Sequence, residues 1–231
     1  MSFNWSQAVG AFAGVVTLGG AFLCMGAAAP AHELGVIDVR RINVREPDGK
    51  LRLAIFDAAN APGIVIRGRE IPHPDRRVAG MLFYNDEGSE NGGLVIGGER
   101  DANGVRHSHE SLTLDRYEQD QVVQLQASED GADRLAGLSV VDRPEQSLDW
   151  AAIERGEHLQ GAARDAAFAN AHVGVAQRAF LGRTESGESE VVLRDSAGKK
   201  RLVLSVAADG VARIAFLDAA GKVTRTIDPG G

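Results

Sequence analysis

The feature that most constrains the fold is an alternation of apolar and polar residues that recurs in short segments after residue 32. Leu51, Leu53 and Ile55 occupy alternate positions of one such segment. Because successive side chains of a β-strand point to opposite faces, these residues lie together on one face. The alternation predicts strands in these segments: 37–44, 51–55, 81–84, 94–96, 112–114, 122–125, 138–141, 202–206 and 211–216.

Turn-forming sequences separate the predicted strands. Asp or Asn precedes Gly at 48–49, 103–104, 130–131 and 209–210, and both residue types favour tight hairpin corners. In the C-terminal part, glycines recur 11, 12 and 11 residues apart, at 187, 198, 210 and 221. The sequence therefore predicts a mainly β fold of antiparallel hairpins and meanders, arranged as a sandwich, a barrel or a small propeller.

One Ala-rich segment interrupts this pattern and predicts helix. Between 147 and 170, apolar residues recur at helical spacing, and Gly156 and Gly161 weaken a continuous helix by about 1 kcal/mol each relative to Ala. We therefore expect one interrupted helix or two short ones. This divides the chain into a β region at 32–145, a helical insertion at 146–172 and a C-terminal β meander at 173–231.

Residues 1–31 contain no Asp, Glu, Lys, Arg or His, and those from 8 to 31 are almost entirely apolar. A helix of 24 residues would be about 36 Å long, enough to cross a hydrocarbon core of about 30 Å. The segment is therefore predicted to be either a transmembrane anchor or a signal peptide. Ala29, Pro30 and Ala31 fit a signal-peptidase site, whereas the absence of Lys and Arg before the apolar run favours a retained anchor.

Two kinds of sequence signal disagree about the side of the membrane on which the domain lies. The arginines that follow the apolar run, Arg40, Arg41 and Arg45, favour the cytoplasm. The possible cleavage site and the lack of cysteine after Cys24 favour export. We expect a membrane-anchored or exported chain with its domain in the periplasm or outside the cell.

Charge excludes one class of partner. The formal net charge is −7 and aromatic residues make up 5% of the chain. A nucleic-acid binder needs basic patches that release counterions, so no nucleic-acid partner is expected. The expected partners are the membrane, through residues 8–31, and a protein partner or a second copy of the chain.

The densest polar cluster is a candidate ligand-binding loop at 85–93. Its oxygen donors are of the kind that calcium prefers, although their spacing does not fit an EF-hand. The candidates are Asn85, Asp86, Glu87, Glu90 and Asn91. The alternative interpretation is a solvated turn between strands, and no cofactor other than calcium is suggested.

His107 and His109 are candidate metal ligands. Residues i and i+2 of a strand share a face, so both imidazoles could reach one metal ion. Glu110 would then point away, and a third ligand such as His73 would have to come from elsewhere. The alternative interpretation is a solvated segment beside the turn at 103–104.

Catalytic motifs are absent from the sequence. It contains no G-x-S-x-G, P-loop, G-x-G-x-x-G, H-E-x-x-H or C-x-x-C. Asp115, Glu118 and Asp120 could supply paired carboxylates for glycoside chemistry, but such groups near one strand are more often surface charge. No catalytic residue is predicted.

Several strings resemble a family of uncharacterised bacterial proteins that are exported or membrane-attached and rich in β structure. They are RINV at 41–44, MLFYNDEG at 81–88, NGGL at 91–94, YEQDQV at 117–122 and DRP at 142–144. The resemblance implies an exported or membrane-attached β protein, and it implies no activity, cofactor or catalytic residue.

These observations predict a non-enzymatic, membrane-anchored or exported β domain that acts by binding or assembly. The alternative is a metal-dependent hydrolase or lyase that uses the 85–93 loop with His107 and His109.

Overall fold

The computed structural model describes residues 35–73 and 76–229. The chain divides into two units, Met1–Asp38 and Val39–Gly231, and all the regular structure described below belongs to the second. The predicted signal or anchor at 1–31 lies outside the described residues, so both interpretations of it stay predictions. Across the described ranges, no helix is long and apolar enough to cross a membrane.

The described chain is mainly β, as predicted, and its strands and helices follow one another along the sequence. The elements are β1 (Arg41–Arg45), β2 (Leu51–Phe56), β3 (Ile64–Ile66), β4 (Arg69–Ile71), β5 (Ala79–Tyr84), β6 (Glu90–Arg100), β7 (Arg106–Asp115), β8 (Gln121–Asp130), β9 (Asp133–Asp142), α1 (Trp150–Glu157), α2 (Gly161–Asn170), β10 (Ala176–Arg183), β11 (Ser189–Arg194), β12 (Lys200–Val206), β13 (Ala212–Leu217) and β14 (Val223–Ile227).

Twelve strands form one open antiparallel sheet, in the order β1-β2-β5-β6-β7-β8-β9-β10-β11-β12-β13-β14. The predicted meander is therefore confirmed, whereas its arrangement as a sandwich, a barrel or a propeller is wrong. Each strand pairs with the sheet strands that precede and follow it in the chain, so β1 and β14 remain the two edges. The remaining two strands, β3 and β4, form a separate hairpin.

Several hairpin turns share one arrangement of hydrogen bonds. In the turn before β12, the Asp195 carboxylate accepts the backbone N–H groups of Ala197 and Lys199, both at 3.0 Å. Gly198 follows with φ of +76°, a conformation that a residue without Cβ adopts at no steric cost. Asp101 and Asp218 accept pairs of backbone N–H groups in the same way. Local turn chemistry of this kind sets the meander.

The small hairpin covers part of one sheet face, which we call the covered face. Val65 of β3 packs in a cluster with sheet residues that alternate along β2 and β5. These are Ala54, Phe56, Leu82 and Tyr84, and all four are buried. The hydrophobic core of the described chain therefore lies between the β3–β4 hairpin and the first strands of the sheet.

Two short helices connect β9 to β10. Asp149 caps α1, because its carboxylate accepts the Ala152 N–H at 3.0 Å. The helices pack closely at Gly156, where an added Cβ would lie 3.2 Å from the Ala167 Cβ. The helical segment predicted around 147–170 thus forms two helices rather than one, while the proposed division of the chain into regions stays a prediction.

Candidate functional site

A cleft opens where the β3–β4 hairpin, the β7–β8 turn and the start of α1 meet over the sheet. Its volume is about 490 Å³. Polar side chains from the sheet and its turns line one part, chiefly Glu90, Asp115, Glu118 and Asp120. Apolar side chains from the hairpin and the helical segment line the other, chiefly Ile64, Ile66, Leu148, Trp150 and Ile153. An apolar pocket with a few convergent polar groups is typical of a ligand site.

A buried glutamine holds the helical segment against the β7–β8 turn. Gln119 is 5% exposed. Its amide Nε2 donates to the carbonyl oxygens of Gln146 at 2.8 Å and His172 at 2.9 Å, one on each side of the helix pair. The backbone N–H of Leu148 also donates to the carbonyl of Glu118. This edge of the cleft is therefore fixed by hydrogen bonds rather than by apolar packing alone.

Three residues beside the cleft adopt a backbone conformation that side chains disfavour. Arg67, Glu118 and His172 have φ of 48°, 50° and 60°, and they are the only described non-glycine residues with positive φ. Arg67 pairs with Glu118, whose other carboxylate oxygen accepts the Ser147 hydroxyl at 2.6 Å. Such conformations cost about 1–3 kcal/mol each and persist only where the surrounding structure holds them. Their concentration here marks the cleft as a constrained region.

Arginines neutralise three of the four carboxylates. Arg76 binds Glu90 through two hydrogen bonds, of 2.7 and 3.0 Å. Arg143 lies 3.0 Å from Asp120, and Arg67 pairs with Glu118. Burial nevertheless raises the pKa of Glu90, with Arg76 opposing the increase.

Asp115 is the exception among these carboxylates. Its Oδ1 atom is buried and has no hydrogen-bond partner in the described part of the chain. Burial, with the nearby negative charges of Asp120 and Glu90 adding to it, raises the pKa of Asp115 to about 7. A carboxyl of this kind can exchange a proton near neutral pH or pair with a cationic ligand group.

The carboxylates considered from the sequence thus meet in one place. Asp115, Glu118 and Asp120 all line the cleft, and Glu90 joins them from the start of β6. Sequence reasoning missed Arg76 and Trp150, because hairpin and helix positions over a sheet depend on long-range packing. The only sequence signal was the proximity of the three acidic residues.

The candidate ligand loop at 85–93 does not present its side chains to one point. The Asn85 side-chain oxygen accepts two backbone N–H groups of its own turn, each at 3.0 Å. Asp86 pairs with Arg52 at 2.6 Å, and Glu87 accepts the Tyr117 hydroxyl at 2.7 Å.

The last two candidates of the loop lie at the start of β6. Glu90 is held by Arg76, and the Asn91 amide donates to the Asp115 carbonyl at 3.1 Å. Calcium binding at this loop stays a prediction. A calcium ion would have to compete with these contacts for the side-chain oxygens.

The predicted histidine pair lies on β7. His107 Nδ1 lies 2.9 Å from a carboxylate oxygen of Asp130, across the β7–β8 ladder. His107 and His109 line a shallow cavity near the far end of β6, whereas His73 lines the cleft. Within the described ranges, no group of three potential metal ligands comes together. The metal site also stays a prediction.

The sheet face opposite the covered face, which we call the apolar face, carries rows of mostly apolar side chains. In an antiparallel ladder, residues paired across strands lie side by side on one face. The first row crosses all twelve strands and consists of Ile42, Ile55, Met81, Leu94, Leu112, Leu125, Leu138, Leu181, Val191, Leu204, Ile214 and Ile227.

A second row lies beside the first, two residues away along each strand. It consists of Val44, Leu53, Phe83, Gly92, Leu114, Val123, Val140, Ala179, Leu193, Leu202, Phe216 and Arg225. Many of these side chains are exposed; Leu125 and Leu181 in the first row, for example, are 53% and 56% exposed. Alternation alone predicted which residues share a face, but it could not show that no element of the described chain covers this one.

Comparisons with known proteins do not identify the chain. No protein-family model, curated protein or solved structure matches it. The resemblance to exported or membrane-attached bacterial β proteins therefore stays a prediction.

Proposed function

We propose that this protein acts by binding or assembly rather than by catalysis, and that its apolar face is the surface that does so. The observation that carries the proposal is the first row, in which all twelve strands contribute an aliphatic residue. Large exposed apolar patches on proteins usually mark interaction surfaces. A face of this extent is costly in water unless another surface covers it.

We further propose that residues 8–31 attach the chain to a membrane or direct its export, so that the β domain acts in the periplasm or outside the cell. The uncharged apolar sequence supports this placement. N-terminal sequencing of protein from the native host tests it. A mature chain that begins at His32 indicates cleavage, and an intact N-terminus in the membrane fraction indicates an anchor. Intact chain in the cytosol would contradict both.

A matched pair of photo-cross-linkable positions tests the proposed surface. Leu125 lies on the apolar face, and its neighbour Gln124 lies on the opposite face of β8. We expect a photoreactive residue at 125 to cross-link the full chain to another macromolecule in its host. The same residue at 124 is expected to give little product. Equal yields at both positions would contradict the proposal.

A hydrolase or lyase is the second candidate, and the cleft is the observation that favours it. Asp115, with its pKa raised to about 7 by burial, has the protonation behaviour of a general acid or base. In the form considered from the sequence, a metal held by the 85–93 loop together with His107 and His109 would assist it. Stoichiometric calcium or zinc in the purified protein, and ester, glycoside or phosphate turnover lost in Asp115→Asn, would favour this candidate.

A further inference from the structure

We infer that the apolar face binds the same face of a second copy of this chain, with a twofold axis that runs parallel to the strands between β8 and β9. This inference rests on the proposed function and names its partner. The two sheets would form a face-to-face sandwich, the arrangement in which two antiparallel sheets bury their apolar faces.

The size of the face fits a second sheet. Twelve strands spaced about 4.8 Å apart, with three rows of side chains about 7 Å apart, make a surface on the order of 1,000 Å². A stable interface needs about 800 Å² from each partner. A helix as long as residues 8–31 would be about 36 Å long and about 10 Å wide, so it would cover about a third of this surface.

The proposed axis follows from the order of the strands. β8 and β9 are the sixth and seventh of the twelve strands, so the line between them divides the sheet into equal halves. A twofold rotation about an axis along this line, between the two sheets, keeps each row opposite itself. It places β7 opposite β10 of the second copy, and β6 opposite β11.

A third row of the apolar face supplies charge complementarity at this axis. Ile96, Glu110 and Ala127 are paired across β6, β7 and β8, and Ala136 is paired with Arg183 across β9 and β10. Glu110 on β7 therefore faces Arg183 of the second copy on β10, and the symmetry repeats the pair. A carboxylate and a guanidinium can meet across the separation of about 10 Å between packed sheets.

Within the single chain, neither the Glu110 carboxylate nor the Arg183 guanidinium has all its hydrogen-bonding groups occupied. The Glu110 carboxylate has no hydrogen bond or ion pair to any described residue. Arg183 donates to the carbonyls of Arg134 and Thr184, and both bonds use Nη1. Its remaining N–H groups are therefore available to a carboxylate from outside the chain.

At two positions near the axis, this arrangement places a large side chain opposite a small one. In the second row it places Gly92 opposite Leu193 of the second copy, and Leu114 opposite Ala179 of the second copy. Alternation of large and small residues across facing positions lets two layers interdigitate. These matches lie within a few strands of the axis, where the mutual rotation of twisted sheets displaces them least.

Charge reversal with rescue tests this inference on the full chain in mild detergent. Sedimentation equilibrium is expected to show that the wild type forms a dimer. Glu110→Arg and Arg183→Glu are each expected to weaken it at least ten-fold, because both symmetric pairs become like charges. An equal mixture of the two variants restores both attractive pairs, as does the double variant, so dimer is expected to return in both cases. Glu190→Arg, on the opposite face of β11, is the matched control and leaves the dimer unchanged.

The possible failures are distinguishable. A wild-type dimer that is insensitive to both reversals, or not rescued by mixing, would overturn the proposed axis. A monomer whose position 125 still cross-links to lipid or to a different protein would overturn the second copy as partner and leave the proposed function standing. A monomer with no preferential cross-linking at 125 would overturn both.

Discussion

Two neighbouring residues of β2 illustrate the difference between the two faces of the sheet. Ala54 is fully buried under the β3–β4 hairpin, whereas Ile55 is 38% exposed. Both belong to the same apolar segment, and the larger side chain is the one left open. The difference teaches that alternation specifies which residues share a face, while only a covering element decides whether that face becomes a core.

The most disruptive test of this difference removes a large side chain from each face. Phe56→Ala, beneath the hairpin, is expected to lower the free energy of unfolding by about 3–5 kcal/mol, because it leaves a cavity in the core. Ile55→Ala on the apolar face is expected to cost less than about 1 kcal/mol in dilute solution. Urea denaturation monitored by circular dichroism measures both. Equal losses at low chain concentration would show that the apolar face is covered within the single chain.

Protonation of Asp115 gives the next largest effect and applies only to the covered side of the molecule. Its pKa is raised from 3.8 to about 7 in the folded protein, so the folded state binds more protons than the unfolded state between these values. Stability therefore falls as pH rises through this window, by roughly 4 kcal/mol, and then levels off. Glu90, whose pKa burial also raises, contributes in the same direction.

Asp115→Asn is expected to remove most of this pH dependence and to be more stable than the wild type at pH 8. Unfolding measured from pH 4 to 8 tests the change, with carboxyl NMR to follow the titration. Asp133→Asn, at the exposed start of β9 and away from the cleft, is the control. A wild-type Asp115 that titrates near pH 4 would refute the account of the cleft.

Gln119 tests whether hydrogen bonds hold the helix pair over the covered face. Gln119→Ala leaves the carbonyls of Gln146 and His172 without their donor and is expected to cost about 2 kcal/mol. Hydrogen exchange should become faster in α1 and α2 than in the sheet. Gln124→Ala on β8 is the comparison, since its side chain caps no carbonyl in the described structure. Unchanged exchange in the helices would contradict the role given to Gln119.

The smallest effect is expected at a turn that belongs to neither face. Asp195→Ala removes two hydrogen bonds to backbone N–H groups and is expected to cost about 1 kcal/mol. Asp209 accepts one such bond, so Asp209→Ala should cost less. Thermal unfolding of the two variants measures the difference. A larger loss at Asp209 would show that the turn carboxylates do not act through these bonds.

The sequence predicted the structure that depends on neighbouring residues, and it missed the structure that depends on contacts between distant segments. The alternation at 202–206 and the Asp–Gly turns predicted strands and hairpins, because pleat geometry and turn chemistry act within a few residues. How the strands are arranged depends on contacts across the whole chain, so the predicted sandwich, barrel or small propeller was wrong, and the described strands form an open sheet. The cleft shows the same limit, since Glu90 and Trp150 reach Asp115 only through the folding of separate elements.

Solvent access at Leu125 tests the central claim most directly, because the apolar face must be covered in the working protein. A nitroxide at Leu125→Cys in a Cys24→Ala background, measured on the full chain with a water-soluble relaxation agent, reports this access. The same label at Gln124→Cys reports the opposite face. The account predicts a shielded label at 125, although this side chain is 53% exposed in the single chain, and a more accessible one at 124. A label at 125 that is as accessible as an unfolded-chain standard would contradict the account.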